Sequence, residues 1–193
     1  MEIEITLEQE LDKLNEKYKK QRIALYRKYA KQGNAEAAFR LGCFYHDQFG
    51  LNACRQAFKW FSQSAVNGYA AGYYMVAIYY YEGERFGLKQ KDFKKYIDNL
   101  IIAAEKGCAQ AQSELADRYL SGCFVPQNID KALELYKQSA ENGNGEAYGK
   151  LAECYESGKY VKKDAKKSCQ LFRKAVCEMH NELVFSDKNF LNY

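Results

Sequence analysis

The hydrophobic and polar positions of this chain recur in register behind four glycines, which are spaced by 35, 39 and 36 residues. Small or aliphatic residues follow each glycine at offsets four, eight and nine, and a tyrosine stands at offset twelve. With about 3.6 residues per turn, these offsets share one face of a helix, which we call helix A. Each position forms a column of four residues, one for each repeat. The columns are, for the glycine, Gly33, Gly68, Gly107 and Gly143; for offset four, Ala37, Gly72, Ala111 and Ala147; for offset eight, Leu41, Val76, Leu115 and Leu151; for offset nine, Gly42, Ala77, Ala116 and Ala152; and for offset twelve, Tyr45, Tyr80, Tyr119 and Tyr155.

A second amphipathic pattern follows each helix A and predicts a helix B. Large apolar residues precede a small one there, as Leu135 and Tyr136 do. The glycine that ends helix B suits position C′, where the backbone turns left-handed. Asp130 and Asp164 stand where an N-cap or a first-turn acid of helix B is expected. One helix pair cannot bury its apolar face alone, so stacked pairs are predicted to form a curved α-solenoid.

The repeat boundaries divide the chain into a capping helix, four repeats and a tail. Residues 1–33 are predicted to form one N-terminal capping helix of the B type, with Thr6 and Gln9 as a capping box. The repeats are predicted over residues 34–68, 69–107, 108–143 and 144–181. The tail, residues 182–193, can cap the array, fill the groove or contact a second copy of the chain. Its apolar residues are Val184, Phe185, Phe190, Leu191 and Tyr193.

The order of these columns resembles the Sel-1-like repeat family, a branch of the tetratricopeptide-like α-solenoids. The resemblance covers about residues 34–181 and is clearest in the third repeat. Its matching residues are Ala111, Leu115, Ala116, Tyr119, Gly122, Val125, Asp130, Lys131, Ala132, Leu135, Ala140 and Gly143. The resemblance implies an all-α fold: a right-handed α-solenoid of four Sel-1-like helix-turn-helix repeats with an N-terminal capping helix.

The function that this resemblance implies is protein binding. Similar proteins are mostly adaptors that hold other proteins on a concave surface, and some are immunity proteins that neutralise a cognate toxin. A cysteine-rich subgroup is linked to β-lactam binding through paired cysteines across helix boundaries. Cys169 and Cys177 have a comparable spacing, but both fall within one predicted helix. A β-lactam-handling hydrolase is therefore the least favoured alternative.

Composition and charge favour a cytoplasmic protein without nucleic-acid partners. Hydrophobic residues make up 47% and charged residues 28% of the chain. No apolar run approaches the roughly 18 residues of a membrane helix, so no membrane insertion is expected. The N-terminus lacks the basic and apolar regions of a signal peptide. The 29 basic and 25 acidic residues are interspersed, which is not the pattern of a nucleic-acid-binding surface.

The implied architecture places helix A on the concave side, so offsets three, six, ten and thirteen are predicted to face a binding groove. They predict an aromatic and apolar N-terminal end and an acidic C-terminal end. A partner segment with an apolar anchor and basic residues would fit such a groove. The candidate partner-binding residues are Phe39, His46, Tyr74, Ile78, Tyr81, Asp117, Glu146, Glu153 and Glu156. Two alternatives stay open: tight curvature can bury the aromatic residues, and the acids can form a merely solvated face.

Candidate catalytic groups are few. The seven cysteines contain no C-x-x-C motif; buried thiols are favoured over a disulfide, for which Cys43 and Cys54 are the best pair. His46 and His180 lack metal-ligand spacing. Cys43 near His46 is interpreted as a packed thiol beside a surface histidine rather than a nucleophile and its base. We expect no enzyme, no cofactor and no metal, but a protein partner and a monomer or weak homodimer.

Overall fold

The computed structural model describes the backbone of residues 7–190 and the side chains of residues 15–178. Over that range the chain is all-α, and a 3₁₀ turn, Gly83–Phe86, occupies the longer loop of the second repeat. Each helix packs mainly against the helices before and after it, so the repeats stack into a solenoid. The nine helices in the described range are α1 (Leu7–Lys31), α2 (Ala35–His46), α3 (Leu51–Val66), α4 (Ala70–Glu82), α5 (Phe93–Glu105), α6 (Ala109–Ser121), α7 (Ile129–Glu141), α8 (Gly145–Ser157) and α9 (Ala165–Phe190).

The interior is built from the repeated columns of helix A. All residues at offsets four, eight and nine in the four repeats are buried, which confirms the predicted inner face. Helix B covers this face with large side chains, among which Phe61, Leu100 and Tyr136 are almost completely buried. Because the small residues of helix A leave room, these side chains approach the backbone of helix A closely.

The tyrosines at offset twelve lie at the seam between the helices rather than in the interior. Each is half-buried, and each contacts a cation from a B-type helix. Lys131 and Lys167 both donate to the tyrosine hydroxyl at 2.7 Å and lie over its ring. The four pairs are Arg27 with Tyr45, Lys95 with Tyr80, Lys131 with Tyr119 and Lys167 with Tyr155.

Buried serines tie helix B to the start of the preceding helix A. The Ser64 hydroxyl donates to the carbonyl oxygen of Ala35 at 2.7 Å. The Ser139 hydroxyl donates to that of Ala109 at the same distance. Both serines are fully buried, so each hydroxyl depends on this bond to avoid an unsatisfied polar group. The two helices of each of these repeats are thereby held together by polar as well as apolar contacts.

The helix ends form as the sequence pattern predicts. The four glycines that end the B-type helices of α1, α3, α5 and α7 have φ angles of 91°, 91°, 84° and 90°, the left-handed region that favours glycine. The Asp164 carboxylate accepts from the amide of Lys167 at 2.9 Å and caps α9. Asp130 lies in the first turn of α7, which Asn128 caps. Asp164 is thus an N-cap and Asp130 is a first-turn acid, which are the two roles predicted for these aspartates.

The described parts of the predicted capping helix and of the predicted tail are both helical. The predicted capping helix corresponds to α1, whose last part packs on α2. The predicted tail, residues 182–193, begins inside α9, which continues to Phe190. The capping box of Thr6 and Gln9 lies outside the described residues, and so do the apolar side chains of the tail and His180.

Candidate functional site

The N-terminal end of the predicted groove is packed with aromatic rings. Phe39 is half-buried, with its ring centre 5.5 Å from that of Phe61 and 5.2 Å from that of Tyr69. Since both neighbours lie on other helices, Phe39 holds α2 against α3 and the start of α4. One edge of its ring stays accessible.

His46 belongs to an aromatic cluster rather than to an open site. Its Nδ1 atom makes a 2.9 Å hydrogen bond with the Tyr79 hydroxyl. The centre of its ring lies 5.2 Å from that of Phe86 and 6.3 Å from that of Phe61. Tyr79 is fully buried, and this burial raises the pKa of its phenol. His46 therefore supplies the partner of a buried hydroxyl.

The middle of the predicted groove combines half-buried apolar side chains with one half-buried acid, Glu114. Tyr74, Ile78 and Tyr81 are all half-buried on α4. The Tyr74 hydroxyl donates to Glu114 at 3.1 Å, so this phenol ties α4 to α6. The ring centre of Tyr81 lies 5.1 Å from that of Tyr96. These side chains are thus partly accessible to solvent, while Tyr74 and Tyr81 also contact neighbouring helices.

Glu114 is the residue that joins the second and third repeats, and the sequence pattern did not single it out. Its carboxylate accepts from Tyr74, from Tyr96 at 2.6 Å and from Arg118 at 3.3 Å. Arg118 in turn donates to the Tyr96 hydroxyl at 2.8 Å. Burial raises the pKa of both tyrosines, and the Glu114 carboxylate adds to the effect. The spacing of an acid and an arginine four apart on helix A was the available signal.

Asp117 is occupied by contacts within the protein. Its carboxylate accepts from the Tyr136 hydroxyl at 2.6 Å, and the Lys150 ammonium lies 4.0 Å away. Tyr136 is almost completely buried, and this burial, with the Asp117 carboxylate, raises its pKa. Asp117 therefore links α6, α7 and α8 and offers only its outer edge to a partner.

The acids of α8 differ from Asp117. Glu146, Glu153 and Glu156 are all exposed, and none forms an ion pair with a side chain in the described part of the chain. Their spacings of seven and three residues place them on one face of α8. The C-terminal end of the predicted groove is thus a row of free negative charge.

A second exposed feature escaped the sequence pattern. Phe93 at the start of α5 and Phe124 in the loop after α6 stack with their ring centres 4.6 Å apart. Phe124 occupies the loop position that glycine holds in the first two repeats, Gly50 and Gly87. This replacement of a glycine by a large aromatic residue was the signal that could have identified it.

The cysteines are all free thiols in the structure, so the disulfide considered between Cys43 and Cys54 is not formed. Burial raises the pKa of the thiols of Cys43, Cys108 and Cys154. The exposed thiols are those of Cys123, Cys169 and Cys177.

Thiol labelling is expected to divide these cysteines into two groups. Iodoacetamide at mildly alkaline pH should modify Cys123, Cys169 and Cys177 at least about tenfold faster than Cys108 and Cys154, because the thiolate is the nucleophile and burial disfavours it. Peptide mass spectrometry at timed intervals measures the rates. Labelling after denaturation provides the control and should reach all seven thiols. Equal rates for the two groups in the folded protein would contradict the burial described here.

The described residues contain no group of three or more histidine, cysteine or acidic side chains placed to hold a metal ion. No helix in the part of the chain that the structure describes is both long enough and apolar enough to cross a bilayer.

Comparison with known proteins identifies the repeats. The family model described as Sel1 repeat matches four consecutive segments, residues 35–69, 70–108, 109–144 and 145–178. No curated protein matches the chain.

Several solved structures are similar to this fold. A Sel1 repeat protein from Oxalobacter formigenes has a TM-score of 0.69 at 30% identity, over 79% of this chain and 61% of that one. Protein c5321, a protective antigen of uropathogenic Escherichia coli with an SLR fold, has a TM-score of 0.68 at 26% identity, over 80% of this chain. The present chain spans only 32% of c5321. A putative sel1 repeat protein from Klebsiella pneumoniae shows the fold alone, with a TM-score of 0.50 at 21% identity, over 81% of this chain and 77% of that one.

Proposed function

We propose that this chain, which belongs to the Sel1 repeat family, binds a partner protein on the surface formed by its A helices. Sel1 repeat proteins generally mediate protein–protein interactions. The finer proposal is an adaptor or inhibitor that takes a basic segment of its partner across the concave side, from α4 to α8.

The unpaired acids of α8 carry this proposal. Glu146, Glu153 and Glu156 are exposed, and none lies within ion-pair distance of a cation in the described residues; Lys150, which stands between them on α8, lies 4.0 Å from Asp117 instead. Like charges on one helix face repel each other, so such a row costs some stability by itself. A basic partner segment would neutralise the row and would be attracted to it over a distance of about a Debye length.

The half-buried side chains of α4 supply the apolar part of the same surface. Tyr74, Ile78 and Tyr81 keep a fraction of their apolar area open, and their other contacts fix them in position. Rigid aromatic side chains make effective anchors because little conformational entropy is lost when a partner binds. Phe39, His46 and Asp117 contribute by holding this surface in shape.

Charge reversal tests the proposal. The triple variant Glu146→Lys, Glu153→Lys and Glu156→Lys is expected to weaken partner binding by at least about tenfold at low ionic strength, and less at high salt. The partner is first captured from the native host with the wild-type chain and identified by mass spectrometry. Its affinity for each purified variant is then measured by calorimetry.

A matched control changes the same number of charges on B helices. The variant Asp98→Lys, Glu105→Lys and Glu141→Lys alters exposed acids of α5 and α7 and is expected to keep the affinity within about twofold, since surface substitutions outside a contact have small effects. If both triple variants bind equally well, or both lose binding equally, the acidic row of α8 is not the site.

Two narrower functions are separated by further measurements. An immunity protein would form a complex with the toxin encoded by a neighbouring gene and would protect cells that express it, whereas an adaptor would not. A β-lactam-handling hydrolase would turn over nitrocefin, whereas we expect a protein that only binds a partner to leave nitrocefin intact.

A further inference from the structure

An exposed pair of stacked phenylalanines lies where the second and third repeats meet. Phe93 is 41% exposed and Phe124 is 43% exposed. Their ring planes are inclined by only 19°, with the ring centres 4.6 Å apart. Two large apolar side chains that stack on each other and still face solvent form a flat hydrophobic surface, which we call the phenylalanine platform.

Phe124 holds its place in spite of its backbone conformation. Its φ angle is 68°, and among the described residues it is the only one with a side chain that has a positive φ. The corresponding Gly50 and Gly87 have φ angles of 105° and 83°. A Cβ atom is disfavoured in this region, and such outliers concentrate at functional sites. The chain thus presents an aromatic ring from a turn that its other repeats build with glycine.

The platform rests on a rigid base that contains the Arg118 guanidinium, which forms an ion pair with the Glu114 carboxylate at 3.3 Å. The Arg118 guanidinium lies 5.6 Å from the ring centres of Tyr81 and Tyr96 and 5.9 Å from that of Phe124. Arg118 is itself fixed by hydrogen bonds to Tyr96 and Glu114. The base is therefore preorganised, and it places a cation directly behind the exposed rings.

The segment that leads into the platform is also basic. Residues 83–95 contain five basic and two acidic residues. The Lys91 ammonium lies 5.3 Å from the ring centre of Tyr81, while Lys89 and Lys94 are exposed. The carboxylate of Asp92 is engaged as the cap of α5 and in an ion pair with Lys95. The charge beside the platform is thus positive, opposite in sign to the acidic row of α8.

We propose that the phenylalanine platform is a second docking surface, and that its occupant is an acidic protein segment carrying an aromatic side chain. The aromatic side chain stacks on Phe93 and Phe124, while neighbouring carboxylates face Lys89, Lys91 and Lys94. The platform is thus proposed to bind an acidic segment, whereas the concave surface is proposed to bind a basic one. The chain therefore has two surfaces of opposite character, as a protein that connects two partners requires.

The test uses ¹⁵N-labelled full-length chain and a defined probe, the blocked peptide Glu-Glu-Phe-Asp-Glu. Titration is expected to shift the amide signals of residues 91–95 and 122–125. Two comparison peptides, one with alanine for phenylalanine and one with amides for all carboxylates, are expected to bind at least about tenfold more weakly. Equal binding of all three peptides overturns the proposal.

Phe124→Gly removes the ring without disturbing the turn, because glycine occupies this position in the first two repeats. The variant is expected to bind the acidic peptide at least about tenfold more weakly, with an unchanged circular dichroism spectrum. The matched control is Tyr160→Gly, at the corresponding position of the fourth repeat, which should leave peptide binding unchanged. Loss of binding in both variants, or in neither, overturns the assignment.

Other occupants give distinct results. A ten-nucleotide oligothymidylate that shifts the same signals, when the acidic peptide does not, would assign the platform to single-stranded nucleic acid and overturn the proposal. Shifts of these signals on simple dilution of the protein, with none on peptide addition, would assign it to a second copy of the chain. The charge-reversal variant of α8 should bind the acidic peptide as the wild type does, which keeps this surface separate from the concave one.

Discussion

Above pH 10 the protein is expected to lose about 4 kcal/mol of unfolding free energy for each further pH unit. The loss arises from three tyrosines, Tyr79, Tyr96 and Tyr136, which are almost completely buried. Burial raises the pKa of each phenol. In the unfolded chain the same phenols ionise near pH 10, so the unfolded state releases protons that the folded state retains.

The direction of the effect follows from this difference in bound protons. Below pH 10 both states hold the three protons, and the stability is fully present. Above it the unfolded state holds fewer protons, so rising pH favours unfolding by about 1.4 kcal/mol per proton and per pH unit. A domain of ordinary stability, about 5–15 kcal/mol, would unfold within roughly one to four pH units. The half-buried thiol of Cys43 and the buried thiols of Cys108 and Cys154, whose pKa values are also raised, act in the same direction from about pH 9.

Urea denaturation at closely spaced pH values measures this dependence. Tyr136→Phe keeps the buried ring but removes one of the three ionisable hydroxyls, so its slope above pH 10 should fall by about one third. At neutral pH the same variant should lose about 1 kcal/mol, because the bond to Asp117 is gone. A wild-type stability that stays constant up to pH 12, or an unchanged slope in the variant, would show that these phenols ionise alike in both states.

The residues that pack the repeats could be predicted from the sequence because their positions follow from helix geometry alone. An offset of four, eight or nine from the glycine lies on the inner face in every copy, and Leu41 and Ala116 are buried for the same reason. The glycines at the helix ends needed only the local rule that a left-handed residue terminates a helix.

The burial of the predicted groove residues could not be derived from the sequence in the same way. Periodicity gives the face on which a side chain lies, but the distance to the next helix A depends on the curvature of the stack. Phe39 and His46 are half-buried because neighbouring rings reach them across that distance. Glu114 was missed because its three partners come from three different helices, which no pattern within one repeat brings together.

Phe124 is another residue whose surroundings could not be predicted from the sequence pattern. The first two repeats have a glycine at the corresponding place, and Phe124 adopts the positive φ of 68° that glycine favours. Whether an aromatic residue there packs inward or faces solvent depends on Phe93, which belongs to the preceding repeat. Departures from the repeat pattern therefore indicate where this chain differs from a generic solenoid. How such a residue packs depends on the side chains of the neighbouring repeat and cannot be predicted from one repeat alone.

Replacing Gly72 by alanine is expected to destabilise the protein by about 1–3 kcal/mol. Gly72 lies in α4, where it faces α3. A Cβ atom at this position would lie 2.7 Å from the backbone nitrogen of Ala65 and 2.8 Å from the Ser64 hydroxyl. The backbone of α3 cannot move aside like a flexible side chain, so the two helices must separate, and the Ser64 bond to Ala35 is disturbed as well.

The same substitution at Gly149 is the matched control and should have the opposite sign. Gly149 lies inside α8, and an added Cβ atom would meet nothing within 4 Å. Gly149→Ala should therefore stabilise the protein by about 0.5–1 kcal/mol, since alanine restricts the unfolded chain and favours helix. The urea concentrations at the unfolding midpoints measure both changes in unfolding free energy, provided that the dependence of this free energy on urea concentration is the same in the variants and the wild type. Equal stabilising shifts in the two variants would mean that helix propensity alone decides, and that the close approach of α3 and α4 at Gly72 does not hold the first two repeats together.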